Sequence, residues 1–400
     1  MGMLVSAVLA IVAALLAIPV AIFGLEIIAA ITLPQRQRRA RPNYRPRRRV
    51  AVLVPAHNES TDLLPTLADI LTQLYPHDRL LVVADNCTDD TAAVARAGGA
   101  EVVERHDLTR LGKGYALDWG LRHLASDPPE FVVFIDADCR LAERTIDRLV
   151  ETCAQAHQPV QALYLMRAPD GSRINHQVAE FAWRVKNWVR PLGLRALGLP
   201  CQLVGTGMAF PWHLIRAADL ANGWIVEDVK VGLDLAAAGH APCFCPSAVV
   251  TSCFPSSVKG VGIQRQRWEQ GHIETILQVL PRLFIAAIAR RRWGLLALIF
   301  DLAVPPLSLL AILGVGILAV SASAALVGLS AAALAISMTS LLALIAAAAL
   351  AWIKYGRDVL PLEAIFSIAP YIGGKLGLYR QIASGKTDAR WIRTDRTKPE

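Results

Sequence analysis

Phe131-Val132-Val133-Phe134-Ile135-Asp136-Ala137-Asp138-Cys139-Arg140 is the stretch on which the rest of the chain is organised. Five apolar residues, β-branched or aromatic, run straight into two aspartates spaced i, i+2. The run has the length and content of a strand buried on both faces. Side chains alternate along a strand, so Asp136 and Asp138 share one side if the extended backbone persists to Asp138. Ligands of open α/β sheets sit at the carboxyl ends of strands. Two carboxylates placed there suit a hard divalent cation, Mg²⁺ or Mn²⁺, completed by phosphate oxygens of a substrate. The plainer alternative is that Asp138 caps a helix starting near Leu141 and Asp136 is a turn residue.

Upstream, the same grammar repeats. Val50–Val54 reads as a short buried strand and ends in Pro55-Ala56-His57-Asn58-Glu59-Ser60. A helix is expected over about Thr61–Leu74, then a strand over Leu80–Ala84 ending in Asp85-Asn86-Cys87-Thr88-Asp89-Asp90, with Thr88 as cap of a helix over Ala92–Ala97. A third strand, Glu101–Glu104, precedes Arg110-Leu111-Gly112-Lys113-Gly114, and a helix from about Tyr115 to Ala125 leads into the aspartate strand. Strands alternating with helices, each strand followed by polar residues, predict a doubly wound, mostly parallel sheet that binds a nucleotide. Neither a Gly-x-Gly-x-x-Gly after the first strand nor a Walker A sequence is present, which argues against dinucleotide oxidoreductases and P-loop enzymes.

The two ends of the chain are of another character. Of 400 residues 54% are apolar, and these concentrate outside the middle segment. Residues 3–32 carry one charge, Glu26, and are longer than a signal-peptide core, so residues 1–33 are expected to form a transmembrane helix. The net charge is +8, and Arg36, Arg38, Arg39, Arg41, Arg45, Arg47, Arg48 and Arg49 alone account for that number. Placed directly after an apolar segment, an Arg-rich linker over 34–49 reads as a cytoplasmic anchor rather than a nucleic-acid patch, and no nucleic-acid partner is expected. All seven cysteines lie in the middle segment, with no paired Cys-x-x-Cys elements, as suits a reduced cytoplasmic domain without zinc.

Beyond the aspartates, Val160–Met166 is expected as a strand and Phe181–Val189 as a helix. Gly205-Thr206-Gly207 either lets backbone approach a ligand or makes a tight turn. Glu227 and Asp228 open a helix running to about Ala238, where acids favour the helix dipole. Residues 264–272 read Gln264-Arg265-Gln266-Arg267-Trp268-Glu269-Gln270-Gly271-His272. Interfacial helices are expected over 258–293, two transmembrane helices over 294–352 (residues 294–320 and about 325–352), and an interfacial or re-entrant helix with a basic cytoplasmic tail over 353–400.

Five of these elements, in order over about residues 50–275, resemble the membrane-attached family 2 glycosyltransferases of the cellulose, chitin and hyaluronan synthase type. The resemblance implies a GT-A α/β fold over 50–257, a doubly wound mixed sheet in the cytoplasm flanked by transmembrane helices. It implies that Pro55, His57, Asn58, Glu59, Asp85, Lys113, Asp136, Gln264, Arg267 and Trp268 bind the donor, a nucleotide sugar most often linked to UDP. It places Mg²⁺ or Mn²⁺ on Asp136 and Asp138, the general base on Asp228, and Glu227, Gly205, Thr206 and Trp268 on the acceptor side; Trp268 reads equally well as an interfacial tryptophan. The implied activity is inverting, metal-dependent transfer of a sugar to a lipid-linked or glycolipid acceptor in exopolysaccharide or envelope assembly, in a bacterial inner membrane. The alternatives are a processive β-glycan synthase with an export partner protein, and a non-catalytic nucleotide-sugar-binding membrane scaffold.

Overall fold

In the computed structural model the described residues are 2–35, 48–169, 174–222, 224, 226–255 and 258–384. Most of the Arg-rich linker and the basic tail from residue 385 lie outside them.

Eight strands form one mixed sheet: β1 Val50–Ala56, β2 Arg79–Asp85, β3 Glu101–Arg105, β4 Phe131–Phe134, β5 Arg140–Leu141, β6 Val160–Arg167, β7 Met208–Pro211 and β8 Cys243–Cys253. The spatial order is β3-β2-β1-β4-β7-β6-β8-β5. The first four are parallel, with Leu53 opposite Leu81 on β2 and Phe134 on β4. β7 runs antiparallel to both β4 and β6, so the sheet changes sense beside the aspartates. Alternation sorts the central strands onto two cores. Val50, Val52, Val54, Phe131 and Val133 pack with Leu67, Ile70, Ile146 and Leu149 on one face. Ala51, Leu53, Val132 and Phe134 pack with Leu117, Leu121, Leu124 and Val231 on the other. Helices therefore cover both faces, and the site opens at the carboxyl ends of β1, β2 and β4.

The capping alternative for Asp138 does not hold. Cys139 is followed by the short strand β5, and the next helix, Thr145–Ala156, begins after Arg144. Nor does Thr88 cap the second helix. Asp90 precedes Thr91–Ala97, and Thr88 instead donates its backbone N–H to Asn58 Oδ1 at 2.7 Å, tying the loop after β2 to the loop after β1.

The helix expected over 294–320 is divided. Trp293–Leu302 ends ahead of Pro305 and Pro306, and Leu307–Leu326 starts afresh, because proline removes a helical donor and restricts the residue before it. The segment expected to hold interfacial helices, 258–293, contains a helix of spanning length. Gln266–Ala289 joins Gly2–Thr32, Leu307–Leu326 and Ala331–Tyr355 as four helices, among the described residues, long and apolar enough to cross a membrane. Over 359–378 the backbone forms a 3-10 turn, Leu362–Ser367, and the short helices Ile368–Gly374 and Leu376–Ala383, none long enough to span.

Helix Gly2–Thr32 is joined to the sheet-bearing part of the chain by apolar packing and by charge. Phe23 and Ile27 pack with Val185, Val189 and Leu344. A Cβ on Gly193 would stand 2.0 Å from the Glu26 carbonyl oxygen, so only glycine lets the helix Arg190–Leu197 cross so closely. Beside that crossing the guanidinium of Arg190 is ion-paired with both Glu26 and Asp301, and all three side chains are buried. Gln202 Nε2 donates to the second Asp301 oxygen at 2.5 Å.

Candidate active site

The carboxyl ends of β1, β2 and β4 open into a cavity of about 340 Å³, lined on the sheet side by Pro55, His57, Glu59, Asp85, Asp136 and Asp138. The His57 ring Nδ1 donates to the Asp85 carbonyl at 2.7 Å. The Asp85 carboxylate takes Arg105 Nη1 at 2.6 Å, yet burial outweighs this partner and raises its pKa. Arg105 has no motif around it in the sequence; its role is fixed only once β3 pairs with β2 and brings it beside Asp85. Asn58 does not line the cavity. With φ +55° it turns back to the β2 loop and shapes the rim instead.

Gly112-Lys113-Gly114 opens the helix Lys113–Leu124, which carries Lys113 under the aspartates. Its Nζ is ion-paired with Asp136 and donates to the Gly205 carbonyl at 2.8 Å. Burial opposes the charge, but Asp136, Glu227 and Asp228 outweigh it and hold the ammonium above the ordinary lysine pKa. Gly205 has φ +88°, and a Cβ there would stand 3.5 Å from Asp228 Oδ2 and 3.7 Å from Lys113 Nζ. The glycine keeps the gap between lysine and acid clear. Thr206 faces the other way. It is fully buried, and its Oγ1 accepts the Asp136 backbone N–H at 3.0 Å, so it steadies the aspartate loop from behind rather than meeting an acceptor.

The helix Glu227–Ala237 delivers both acids of its first turn into the cavity. Burial, then the neighbouring Asp228, raises Glu227 to about 7. Asp228 is raised too, mainly by burial, against the Val229 N–H, Lys113 and Lys186, which favour its charged form. Like charges side by side raise each other's pKa, and a carboxylate so raised can accept a proton near neutrality.

Gln264, Arg267 and Trp268 come from the helix Val258–Glu274 and close the cavity opposite the sheet. Gln264 Oε1 is buried without a partner. Trp268 stacks on Trp183 with centroids 4.9 Å apart, and Trp183 meets Tyr164 edge-on at 5.4 Å. Trp268 is thus part of an aromatic wall and not an isolated interfacial residue. Trp183, Lys186, Asn187, Gln202 and His272 also line the cavity and were not anticipated. Trp183, Lys186 and Asn187 sit in what reads as an ordinary packed helix, Gln202 lies in the segment between that helical region and β7, and His272 closes the 264–272 stretch.

Two carboxylates, Asp136 and Asp138, are the metal donors that the arrangement offers. Among the described residues no group of three or more His, Cys, Asp or Glu side chains gathers to hold an ion by itself. An all-oxygen pair fits Mg²⁺ or Mn²⁺ shared with a diphosphate and does not fit a closed zinc site.

The sequence profile of the family described as "Glycosyltransferase like family 2" matches residues 46–271, more than half of the chain. The probable glycosyltransferase YdaM of Bacillus subtilis (strain 168) is 25% identical over 284 residues, 66% of this chain and 62% of that protein. The poly-beta-1,6-N-acetyl-D-glucosamine synthase of Staphylococcus epidermidis is 23% identical over 261 residues, 63% of this chain and 60% of that protein. The matched stretch thus spans less than two thirds of either relative. Among solved structures, the mannosyltransferase PcManGT of Pyrobaculum calidifontis, in complex with GDP-Man and Mn²⁺, superposes with a TM-score of 0.51 at 21% identity, covering 86% of this chain and 98% of that one. The sheet order, the cavity at its carboxyl edge and these matches together make the chain a member of glycosyltransferase-like family 2, built on the GT-A fold and carrying four helices able to cross a membrane.

Proposed function

We propose that the chain transfers one sugar from a nucleotide diphosphate sugar, UDP-linked, to a hydroxyl of a membrane-borne lipid-linked or glycolipid acceptor, with inversion. The observation that carries this is the meeting of Lys113, the Asp136/Asp138 pair and Asp228 in one cavity, with Gly205 holding space between lysine and base. Pro55, His57, Glu59 and Asp85 would receive the base and ribose of the nucleotide. Asp136 and Asp138 would hold Mg²⁺ or Mn²⁺, which supplies positive charge to the leaving diphosphate. Lys113 and Arg267 add fixed positive charge at the same end. Asp228 takes the hydroxyl proton as the oxygen attacks the anomeric carbon from the opposite face; the bond to the diphosphate breaks, and the nucleoside diphosphate leaves with the electron pair. Glu227 sets the basicity of Asp228, and the Trp183–Trp268 wall gives a sugar ring an apolar face to lie on.

Leu302, Thr275 and His272 line the cavity from apolar helices, which favours an acceptor presented by the membrane. The arginines of 36–49 favour a cytoplasmic active site at a bacterial inner membrane. A second reading, processive β-glycan synthesis with an export partner, gains from the fourth apolar helix, Gln266–Ala289, because more helices enclose a channel better.

The deciding experiment is a donor screen on the full chain in lipid nanodiscs with Mg²⁺ or Mn²⁺, reading nucleotide release and the mass of extracted products. One added sugar supports the stepwise reading, and a ladder supports the processive one. Tight nucleotide binding without release points to a scaffold and overturns both.

A further inference from the structure

Lys186 and Asn187 also line the cavity, and the proposed transfer gives neither of them a contact with the reacting groups. Lys186 and Asn187 stand on a single π-turn, Val185–Val189, between the helices Ile174–Arg184 and Arg190–Leu197. Such turns recur where a helix is re-aimed for function. A small second void of about 10 Å³ continues past them toward Arg190 and Asp301.

The charges around Lys186 are Asp228, Arg190, Asp301 and Glu269. Arg190 and Asp301 are matched to each other and to Glu26. Glu269 is ion-paired with Lys375. Asp228 lies within the field of Lys113 as well as that of Lys186. Lys186 is the cation at this end that has no salt bridge of its own. Among the described residues its ammonium makes no hydrogen bond and no salt bridge. Asn187 is 3% exposed, and its Nδ2 has no hydrogen-bond partner. Burial holds Lys186 below the ordinary lysine pKa, with Asp228 pulling the other way. Lys186 is half-buried and lines the cavity, and the unpaired buried amide of Asn187 is costly until an oxygen atom arrives to accept from it.

We propose that Lys186 and Asn187 form an anion subsite for the acceptor, so that the molecule whose hydroxyl is glycosylated also carries a phosphate or carboxylate group. The inference rests on the transferase reading above and adds the acceptor's chemical class. The anionic group would lie at the π-turn while the hydroxyl reaches Asp228. The source of that group is either a lipid headgroup at the helical side of the cavity or a soluble acid.

The test uses the full chain in nanodiscs and the acceptor that the donor screen reveals. The glycosylated product is expected to be acidic by mass. Lys186→Met is expected to raise the acceptor KM by about 10–100-fold, with the loss falling on KM rather than kcat, and Lys186→Arg to restore most of it. Phosphatidylglycerol in the disc and glycerol 3-phosphate in solution serve as competitor probes, against uncharged diacylglycerol and glycerol. Competition by the first alone assigns a lipid headgroup, and by the second alone a soluble acid. A neutral product, or loss of kcat with unchanged acceptor KM in Lys186→Met, overturns the subsite and leaves the transferase reading standing. The latter result would make Lys186 a tuner of Asp228. Absence of turnover with any donor overturns both readings.

Discussion

The ammonium of Lys113 is ion-paired with the carboxylate of Asp136, the first acid of the Asp-Ala-Asp sequence. The same Nζ reaches the Gly205 carbonyl at 2.8 Å and so ties the loop before β7 to the aspartate loop. Lys113→Ala removes a positive charge from the leaving-group end and frees that loop. Turnover is expected to fall by about 10²–10³-fold, the size seen when a charge-stabilising donor is lost. Steady-state kinetics with saturating donor check this, and activity within threefold of the parent would remove Lys113 from the role.

The Glu227–Asp228 pair sets a pH dependence with a definite sign. Both carboxyls are raised, Glu227 to about 7, and a base works only when ionised. The transfer rate is therefore expected to drop as pH falls below about 7. Glu227→Gln removes a negative neighbour, makes ionisation of Asp228 easier and moves the acid limb to lower pH. Asp228→Asn is expected to keep nucleotide affinity and lose about 10²–10⁴-fold in turnover. A pH–rate profile that Glu227→Gln leaves in place would break the link between the two acids.

The two-carboxylate donor set predicts dependence on an added ion. Chelation by EDTA is expected to abolish transfer, and Mg²⁺ or Mn²⁺ to restore it. Asp138→Asn is expected to raise the Mg²⁺ concentration needed for half-maximal rate. Full activity in EDTA after dialysis would refute this assignment.

Arg190 sits buried between Glu26 and Asp301. Arg190→Ala leaves two carboxylates without their cation, and removal of one partner from a buried cluster costs about 3–5 kcal/mol. Thermal unfolding of the purified protein is expected to move to markedly lower temperature. An unchanged transition would mean that water reaches the cluster.

How far these features were legible differs from element to element. The aspartate strand and the three β-α units before it were readable because each combines a buried run with a polar turn, and that pattern is local; Lys113 stood out only through the family resemblance. Glu227 and Asp228 were readable as acids of a first helical turn, but their mutual proximity to Lys113 depends on β7 and Gly205 folding between them. Lys186 and Asn187 were not readable. Their helix looks like ordinary core packing, and only the π-turn and the crossing of Arg190–Leu197 with the N-terminal helix aim them at the cavity. The broken span at 294–320 did leave signals, Asp301 and the Pro305-Pro306 pair, that a hydropathy reading averages away. Thr206, placed on the acceptor side by the resemblance alone, closes its hydroxyl on the protein's own backbone, a partner that no local pattern announces.

The crossing at Gly193 has a practical consequence for anyone who would cut the protein into parts. Strand β1 begins at Val50, and the sheet before and after it looks self-sufficient. Yet a chain shortened to start there would lose Glu26 from Arg190, strip the apolar cover contributed by Phe23 and Ile27, and unsettle the adjoining π-turn Val185–Val189 that lines the cavity. Solubility gained by removing the first helix would come with a disturbed cavity wall, so the sheet-bearing half is best produced and studied with its hydrophobic partner attached.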